Sequence, residues 1–459
     1  GTLPASVSAL QRAPGPPLEL VSFAGPDDAV TSLQQALEWN RALTGELAWA
    51  VPADQPIDQP YWLAAPHGAL YQPDRSRHAG IEPVAPGAAC YRVELRLPDG
   101  SALEVERQAM HTWVDRVAGE RTRPVVITPV ASIEVPDAVA LVTGERTTIA
   151  VGLEALTDEL SGALGASLPP GWTIERAPPP VERLRLGGRT TLSLELRRAP
   201  EAAAGVLRLS FAGPQGSSDR TLHVIDYPHI LPQTWYTPAE VRLLPLPVAV
   251  SARTVGYVEG AGDEVPAALR RLGVTVERID PATALAADLA RCDAIVTGVR
   301  AYNTVPELAR FQPELLAWVE AGGTLVVQYN TSGSDLVLPG DRIGPYPFTL
   351  TRQRVTLEEA PPTFLAPAHP LMNVPNALGS ADFEGWVQER GLYFAGELDP
   401  AYVPLIAWSD PDEAPLEGGL IACDHGQGRF IYTGLSLFRQ LPAGVPGSYR
   451  ILANLIAPR

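Results

Sequence analysis

Three observations predict a chain of two β-sandwich domains followed by a doubly wound α/β domain. Its 459 residues exceed what one hydrophobic core serves, and suggest about three domains. From about residue 126 to 232 apolar and polar residues alternate with period two, the signature of half-buried strands. After about residue 250, short apolar runs alternate with helical stretches, as βαβ units do.

In residues 1–125, Tyr91–Leu97 and Leu103–Arg107 alternate around the turn Pro98-Asp99-Gly100, a hairpin signal. Segment 31–49 has helical propensity, but its proline-rich surroundings favour a β domain. Within 126–232, Ile149, Val151 and Leu153 share one face, as do Leu192, Leu194 and Leu196, and then Leu207, Leu209 and Phe211. Pro169-Pro170-Gly171 and Gly187-Gly188 separate these runs, which together predict an Ig-like sandwich. The two GxRTT stretches at Gly144 and Gly187 are read as two strands of it. Residues 233–250 are expected to be a linker.

In 251–459 the order expected is strand Thr254–Val258, a helix from Asp263 to Leu272 stopped by Gly273, and strand Val274–Ile279. A helix near 283–290, strand Ala294–Thr297, a helix over 305–321 and strand Thr324–Gln328 follow. Later strands at Ile421–Ala422 and Phe430–Thr433 flank the turn 424–428. Such an order predicts a parallel sheet with right-handed crossovers.

The net charge of −17 argues against nucleic acid or anionic lipid, which need clustered cations. All 35 basic residues are arginine, so Schiff-base chemistry and a phosphate-loop lysine are excluded. No stretch approaches the ~18 uninterrupted apolar residues of a membrane span. Cys90, Cys292 and Cys423 form neither a metal pattern nor a disulfide framework. The chain opens GTLPASVSAL, without Met or a signal pattern, as a processed or partial chain would.

In an open α/β sheet, ligands bind outside the carboxyl ends of the strands. Those ends supply the candidate ligand-binding residues: Gly260, Gly262 and Asp263 after the first strand; Arg300, Tyr302 and Asn303 after another; Gln328, Tyr329 and Asn330 after Thr324–Val327; Ser436 and Arg439 after a late one. Gly260-x-Gly262 opens like a dinucleotide fingerprint. Val265 replaces the third glycine, and Asp263 and Glu264 would repel a pyrophosphate, so nucleotide binding is disfavoured. Arg300 equally suits an ion pair, and Gln328, Tyr329 and Asn330 equally suit local backbone bonds.

No nucleophile stands out. Cys292 precedes its strand, Cys423 reads as core, and Ser436 in GLSLF lacks the second glycine of a nucleophile elbow. The seven histidines show no metal-ligand spacing, and no metal is expected. Residues 382–394 (DFEGWVQERGLYF) gather acids, an amide, an arginine and aromatic rings. Trp386, Gln388, Glu389 and Arg390 there suit a sugar or polyol; the alternative is that Trp386 is core and the charges are solvated.

The runs VGYVEGAGDEVPAAL, CDAIVTGVRAYNT, GGTLVVQYNTSG, GPYPFTLTRQRVT, DFEGWVQERGLYF and YTGLSLFRQLPAGVPGSYR resemble the C-terminal region of large bacterial PIG-L (LmbE-like) deacetylases. The likeness extends upstream through QPYWL (59–63), TWVD (112–115) and VIDYPHI (224–230). In that family an N-terminal zinc domain removes acetyl groups from N-acetylglucosamine-type sugars, through a His-Pro-Asp-Asp-Glu run and a distal histidine. Here the sole His-Pro is His369-Pro370, followed by Leu371-Met372, so no catalytic residue carries over. The last domain is also similar to flavodoxin-like, ThuA-like and class I glutamine amidotransferase-like domains. An amidotransferase would need a cysteine where Gln328, Tyr329 and Asn330 stand.

The resemblance implies an accessory region that binds a glycan or N-acetyl sugar, or presents it to a deacetylase domain in cis or in trans. No cofactor is expected in this chain; zinc would belong to that other domain. An extracellular or cell-envelope location is implied. The alternatives are a sugar-acting hydrolase working through Asp382, Glu384 or Glu389 as acid and base, or a structural cell-surface module.

Overall fold

The computed structural model describes residues 1–63, 70, 87–339 and 342–459. Near the N-terminus, β1 (Thr2–Ala9), β2 (Glu19–Ala24), β3 (Val30–Ala36), β4 (Leu43–Ala50), β5 (Cys90–Arg96), β6 (Ala102–Gln108), β7 (Met110–Asp115) and β8 (Gly119–Pro124) make up three sheets. β1 pairs antiparallel with β4, β7 with β8, and the third sheet runs β3-β2-β5-β6. The hairpin expected at Pro98-Asp99-Gly100 joins β5 to β6, with Leu97 N–H donating to Ser101 O at 2.8 Å. Segment 31–49 is extended, with β3 and β4 in it. Only Leu20, Phe23 and Leu37 are fully buried in this core; Val7, Leu47, Val93 and Leu95 are half-covered. In place of the Ig-like sandwich expected for 1–125 there are small sheets around a thin core.

The middle region carries β9 (Ala131–Glu134), β10 (Val139–Val142), β11 (Arg146–Ala155), β12 (Leu160–Ser167), β13 (Trp172–Arg176), β14 (Val181–Leu184), β15 (Arg189–Arg198), β16 (Gly205–Gly213), β17 (Gly216–Ser218), β18 (Arg220–Ile225), β19 (Gln233–Pro238) and β20 (Glu240–Pro245). One sheet is ordered β10-β20-β16-β12-β14 with β17 beside β16; the other is β13-β15-β11-β9. The alternation read from sequence places its apolar sets between them. Ile149, Val151, Leu153, Leu192, Leu194, Leu196, Leu207, Leu209 and Phe211 all lie in one buried cluster. The segment expected as a linker, 233–250, is corrected. Its first part pairs as β19 with β18, and β20 sits between β10 and β16.

The C-terminal region comprises β21 (Thr254–Val258), α1 (Val265–Arg271), β22 (Thr275–Arg278), α2 (Ala286–Leu289), β23 (Ala294–Thr297), α3 (Ala301–Thr304), α4 (Leu308–Glu320) and β24 (Thr324–Gln328). Three pairs of two-residue strands follow: β25 (Thr349–Leu350) with β29 (Ala395–Gly396), β26 (Arg354–Val355) with β28 (Gly391–Leu392), and β27 (Thr363–Phe364) with β31 (Ile406–Ala407). Then come α5 (Pro370–Asn373), β30 (Val403–Pro404), β32 (Leu420–His425), β33 (Gly428–Thr433), α6 (Leu437–Gln440) and α7 (Pro446–Leu455).

The expected doubly wound, flavodoxin-like domain is corrected. Strand makes up 41% of the structure and helix 12%, spread over several small sheets. The largest sheet is mixed, in the order β22-β21-β23-β24-β33-β32-β30, with β32 and β30 antiparallel to their neighbours. The whole passage from 329 to 427 separates β24 from β33, its parallel partner. Helical propensity there gives way to turns and two-residue bridges, because proline and glycine recur and no 3.6-residue apolar period is sustained.

β21, β23 and β24 form where expected because each is a short apolar run, almost wholly buried on both faces, as interior parallel strands must be. Two apolar clusters cover this sheet, one including Val255, Val296, Val326 and Ile431, the other Ile295, Leu325, Val327 and Tyr432. α7 closes the region. Asn454 donates to Leu371 O and Asn376 O, and Arg450 reaches Asp382 at 2.7 Å.

Candidate functional site

Since β21, β23, β24 and β33 are neighbours and parallel, their carboxyl ends meet at one edge. Most polar candidates there are buried and bonded to each other. Asp263 is the centre of one knot. Its carboxylate accepts from Tyr257 OH at 2.6 Å, Val265 N–H at 3.0 Å, Val299 N–H at 2.9 Å and Gln328 Nε2 at 3.4 Å. Tyr257, which sequence reasoning missed, has its phenol pKa raised by burial first and by the Asp263 charge second. Gly260 lets two turns touch, since a Cβ there would collide with the Val299 carbonyl; Gly262 takes φ 99°.

Asn330 is wholly buried, accepting from Tyr302 N–H at 2.9 Å and donating to Gln328 O at 2.9 Å. Tyr302 is buried too, its hydroxyl bonded to Gln312 at 2.5 Å. Asn303 and Thr331 exchange two bonds, at 3.1 and 2.9 Å. These groups fix the shapes of the turns.

The segment 382–394 is likewise mostly interior. Trp386 is 4% exposed and donates to Asp382 O, so it is core and not a sugar platform. Arg390 lies 5.2 Å over its ring and donates to Ala360 O at 3.0 Å and to Phe383 O. Burial lowers the Arg390 pKa to about 10. Asp382 is held by Arg450 and by Gly379 N–H. Gln388 is exposed with φ 68°.

What remains open to a ligand is a smaller group. Arg300 takes a left-handed φ of 58°, its N–H bonded to Tyr329 O at 2.9 Å. Its guanidinium stands 3.6 Å from Asp335, and its Nε has no hydrogen-bond partner among the described residues. Tyr329 stacks on Tyr393 with centroids 5.7 Å apart and planes 8° from parallel, and Phe438 lies 5.3 Å away. Tyr432 OH, donating to Tyr393 O at 2.6 Å, fixes Tyr393 in its own left-handed turn. Arg439 lies 4.8 Å over Phe438 and pairs with Glu389 at 3.1 Å. Burial raises the Tyr329 phenol pKa, opposed by the Arg300 and Arg439 charges. Sequence reasoning missed Tyr393 and Phe438. Their signal was an aromatic ring within three residues of an arginine in two separate runs.

The hydroxyl of Ser436 is wholly buried and donates to Glu389 O at 2.6 Å, so it has no proton acceptor that would make it a nucleophile. Burial pushes the Cys292 thiol up to about 11 and the Cys423 thiol up to about 12. Neither should be appreciably ionised near neutral pH. In the native protein at pH 8 both are expected to react with iodoacetamide about a hundredfold or more slower than a free cysteine thiol. Peptide mapping of the alkylated chain checks this, and urea unfolding should erase the difference; fast native labelling of either would contradict the burial.

Among the described residues no group of three or more His, Cys, Asp or Glu could hold a metal ion. No helix there is long and apolar enough to cross a membrane.

No family model and no curated protein matches the sequence. Among solved structures, similarity is found to a GMP synthase protein from Thermoplasma acidophilum. The identity is 10% and the TM-score 0.30, over 45% of this chain and 94% of that one. A cold-adapted β-galactosidase from Rahnella sp. R3 is similar at 16% identity and TM-score 0.26, over 44% of this chain and 31% of its own. Salmonella α-2-macroglobulin is similar at 13% and 0.18, over 55% and 16%. At these scores none assigns an activity to this chain, and the PIG-L resemblance rests on its motifs alone.

Proposed function

We propose that this chain is a binding region and that its ligand is a glycan, held at the sheet edge by Arg300, Tyr329, Tyr393, Glu389, Phe438 and Arg439. The observation that carries the reading is the stacked Tyr329–Tyr393 pair with both arginines acting on the Tyr329 phenol. A pyranose ring offers an apolar C–H face to an aromatic ring and hydroxyls to planar charged groups. The buried knot around Asp263 would then be scaffold that holds this edge rigid. The PIG-L resemblance supports an N-acetyl sugar as the ligand, bound for a zinc deacetylase domain in cis or in trans.

Titration with N-acetylglucosamine oligomers should give saturable heat and shift the Tyr329 and Tyr393 resonances. Arg439→Ala should weaken binding about tenfold, the loss of one charge-assisted hydrogen bond. If neither heat nor a shift accompanies saturating oligomer or cell-wall fragments, the reading is wrong.

A further inference from the structure

The N-terminal region holds a crevice independent of the sheet edge just described. It is lined along one side by every residue from Leu3 to Leu10, and across from them by Tyr91, Val93, Leu95, Val105 and residues 107–111. Its volume is about 740 Å³, inside the range of roughly 300–1,000 Å³ typical of ligand sites. The crevice explains the thin core there: Leu3, Val7, Val93 and Leu95 point inward yet remain half-exposed.

The bordering main chain shows what the crevice takes. Val51 N–H donates to Gly1 O at 2.9 Å, and the register then runs Thr2↔Ala50 to Ala9↔Leu43. In an antiparallel ladder the bonding sense alternates. Leu3, Ala5, Val7 and Ala9 therefore turn their amides and carbonyls toward β4, and Thr2, Pro4, Ser6 and Ser8 turn theirs away. Pro4 agrees with this parity, since it has no N–H to give to β4. Among the described residues β4 is the only strand partner of β1, so the outward row is unpaired beside an apolar trough. A hydrocarbon ligand would leave that row unsatisfied; a polypeptide strand satisfies it.

We propose that this crevice takes an extended polypeptide segment by strand addition to the free edge of β1. Alternate side chains of the segment, apolar and branched, enter the trough between β1 and β5. The eight residues of β1 offer about 27 Å of edge. The outward amides of Ser6 and Ser8 and the carbonyls of Pro4, Ser6 and Ser8 carry the pairing. Arg107 and His111 at the far wall favour a segment whose polar positions are acidic.

The test uses the full chain and a synthetic nonapeptide alternating valine with threonine and glutamate, against a scrambled peptide with its valines adjacent. The alternating peptide should bind saturably and slow amide exchange at Ser6 and Ser8 about tenfold or more, leaving Leu3, Ala5 and Val7 as they were. Ser6→Pro removes one outward donor without touching the β4 ladder and should weaken binding about tenfold. If that variant misfolds, Ala5→Trp, which fills the trough from within, should abolish binding instead. Equal binding of both peptides, or binding without protection at Ser6 and Ser8, would show a merely apolar site and overturn the proposal. So would failure to bind, or chain dimerisation that excludes the peptide.

Discussion

Asp263→Ala is expected to destabilise the C-terminal region by about 4 kcal/mol. Each buried donor left without a partner costs roughly 1–3 kcal/mol. The substitution strands three of them at once: Tyr257 OH, Val265 N–H and Val299 N–H. It also unties the turn after β21 from the turn after β23, which otherwise meet through Gly260 and the Val299 carbonyl. Asp263→Asn keeps one acceptor oxygen but turns an amide N–H₂ toward groups that donate, and should lose about half as much. Urea denaturation followed by intrinsic fluorescence measures both, as a lower midpoint at unchanged slope. A loss under about 1 kcal/mol for the alanine variant would mean that water replaces the carboxylate and that the knot is not a dry one.

Arg390 should divide charge from shape. The side chain is 3% exposed, stacked on Trp386 and spanning to the carbonyls of Ala360 and Phe383. No carboxylate lies within ion-pair distance of it among the described residues, and the nearby Glu358 and Glu359 only partly offset its desolvation. Arg390→Ala leaves a cavity and frees two carbonyls, an expected loss of about 3–5 kcal/mol. Arg390→Met fills most of the volume without carrying a charge into the interior, and should regain more than half of that loss. Thermal unfolding of the two variants side by side decides it. Equal losses would assign the stabilisation to the two hydrogen bonds and none to packing.

Some of this was readable from sequence, for a physical reason. Thr254–Val258, Ala294–Thr297 and Thr324–Gln328 are strands with the bounds expected, since an interior parallel strand must be apolar on both faces. The period-two runs of the middle region sorted themselves inward as read. What failed was whatever depends on contacts distant in sequence. Nothing in 233–245 announces that Val241 and Leu243 complete a sheet opened by β10, and helical propensity near 283–290 sustained only the four residues of α2. The candidate site failed in the same way. Gln328, Asn330, Tyr302 and Ser436 are residue types that bind ligands, but their partners are backbone groups 2 to 47 positions away or other buried side chains. Whether such a group faces solvent or its own fold is set by the turn, and the turns at Arg300, Gln388 and Tyr393 use left-handed backbone that no rule would assign to those residues.

The pairing of β24 with β33 has a bearing on how the chain is made. Gln328 finds its neighbour only at Thr433, so on the ribosome the central strand of the large sheet emerges with one side bare. It stays so until the whole intervening passage has been translated. The middle region, whose partners lie close in sequence, can mature meanwhile. Its later neighbour passes through a stage in which an unprotected apolar edge faces the cell's chaperones and proteases.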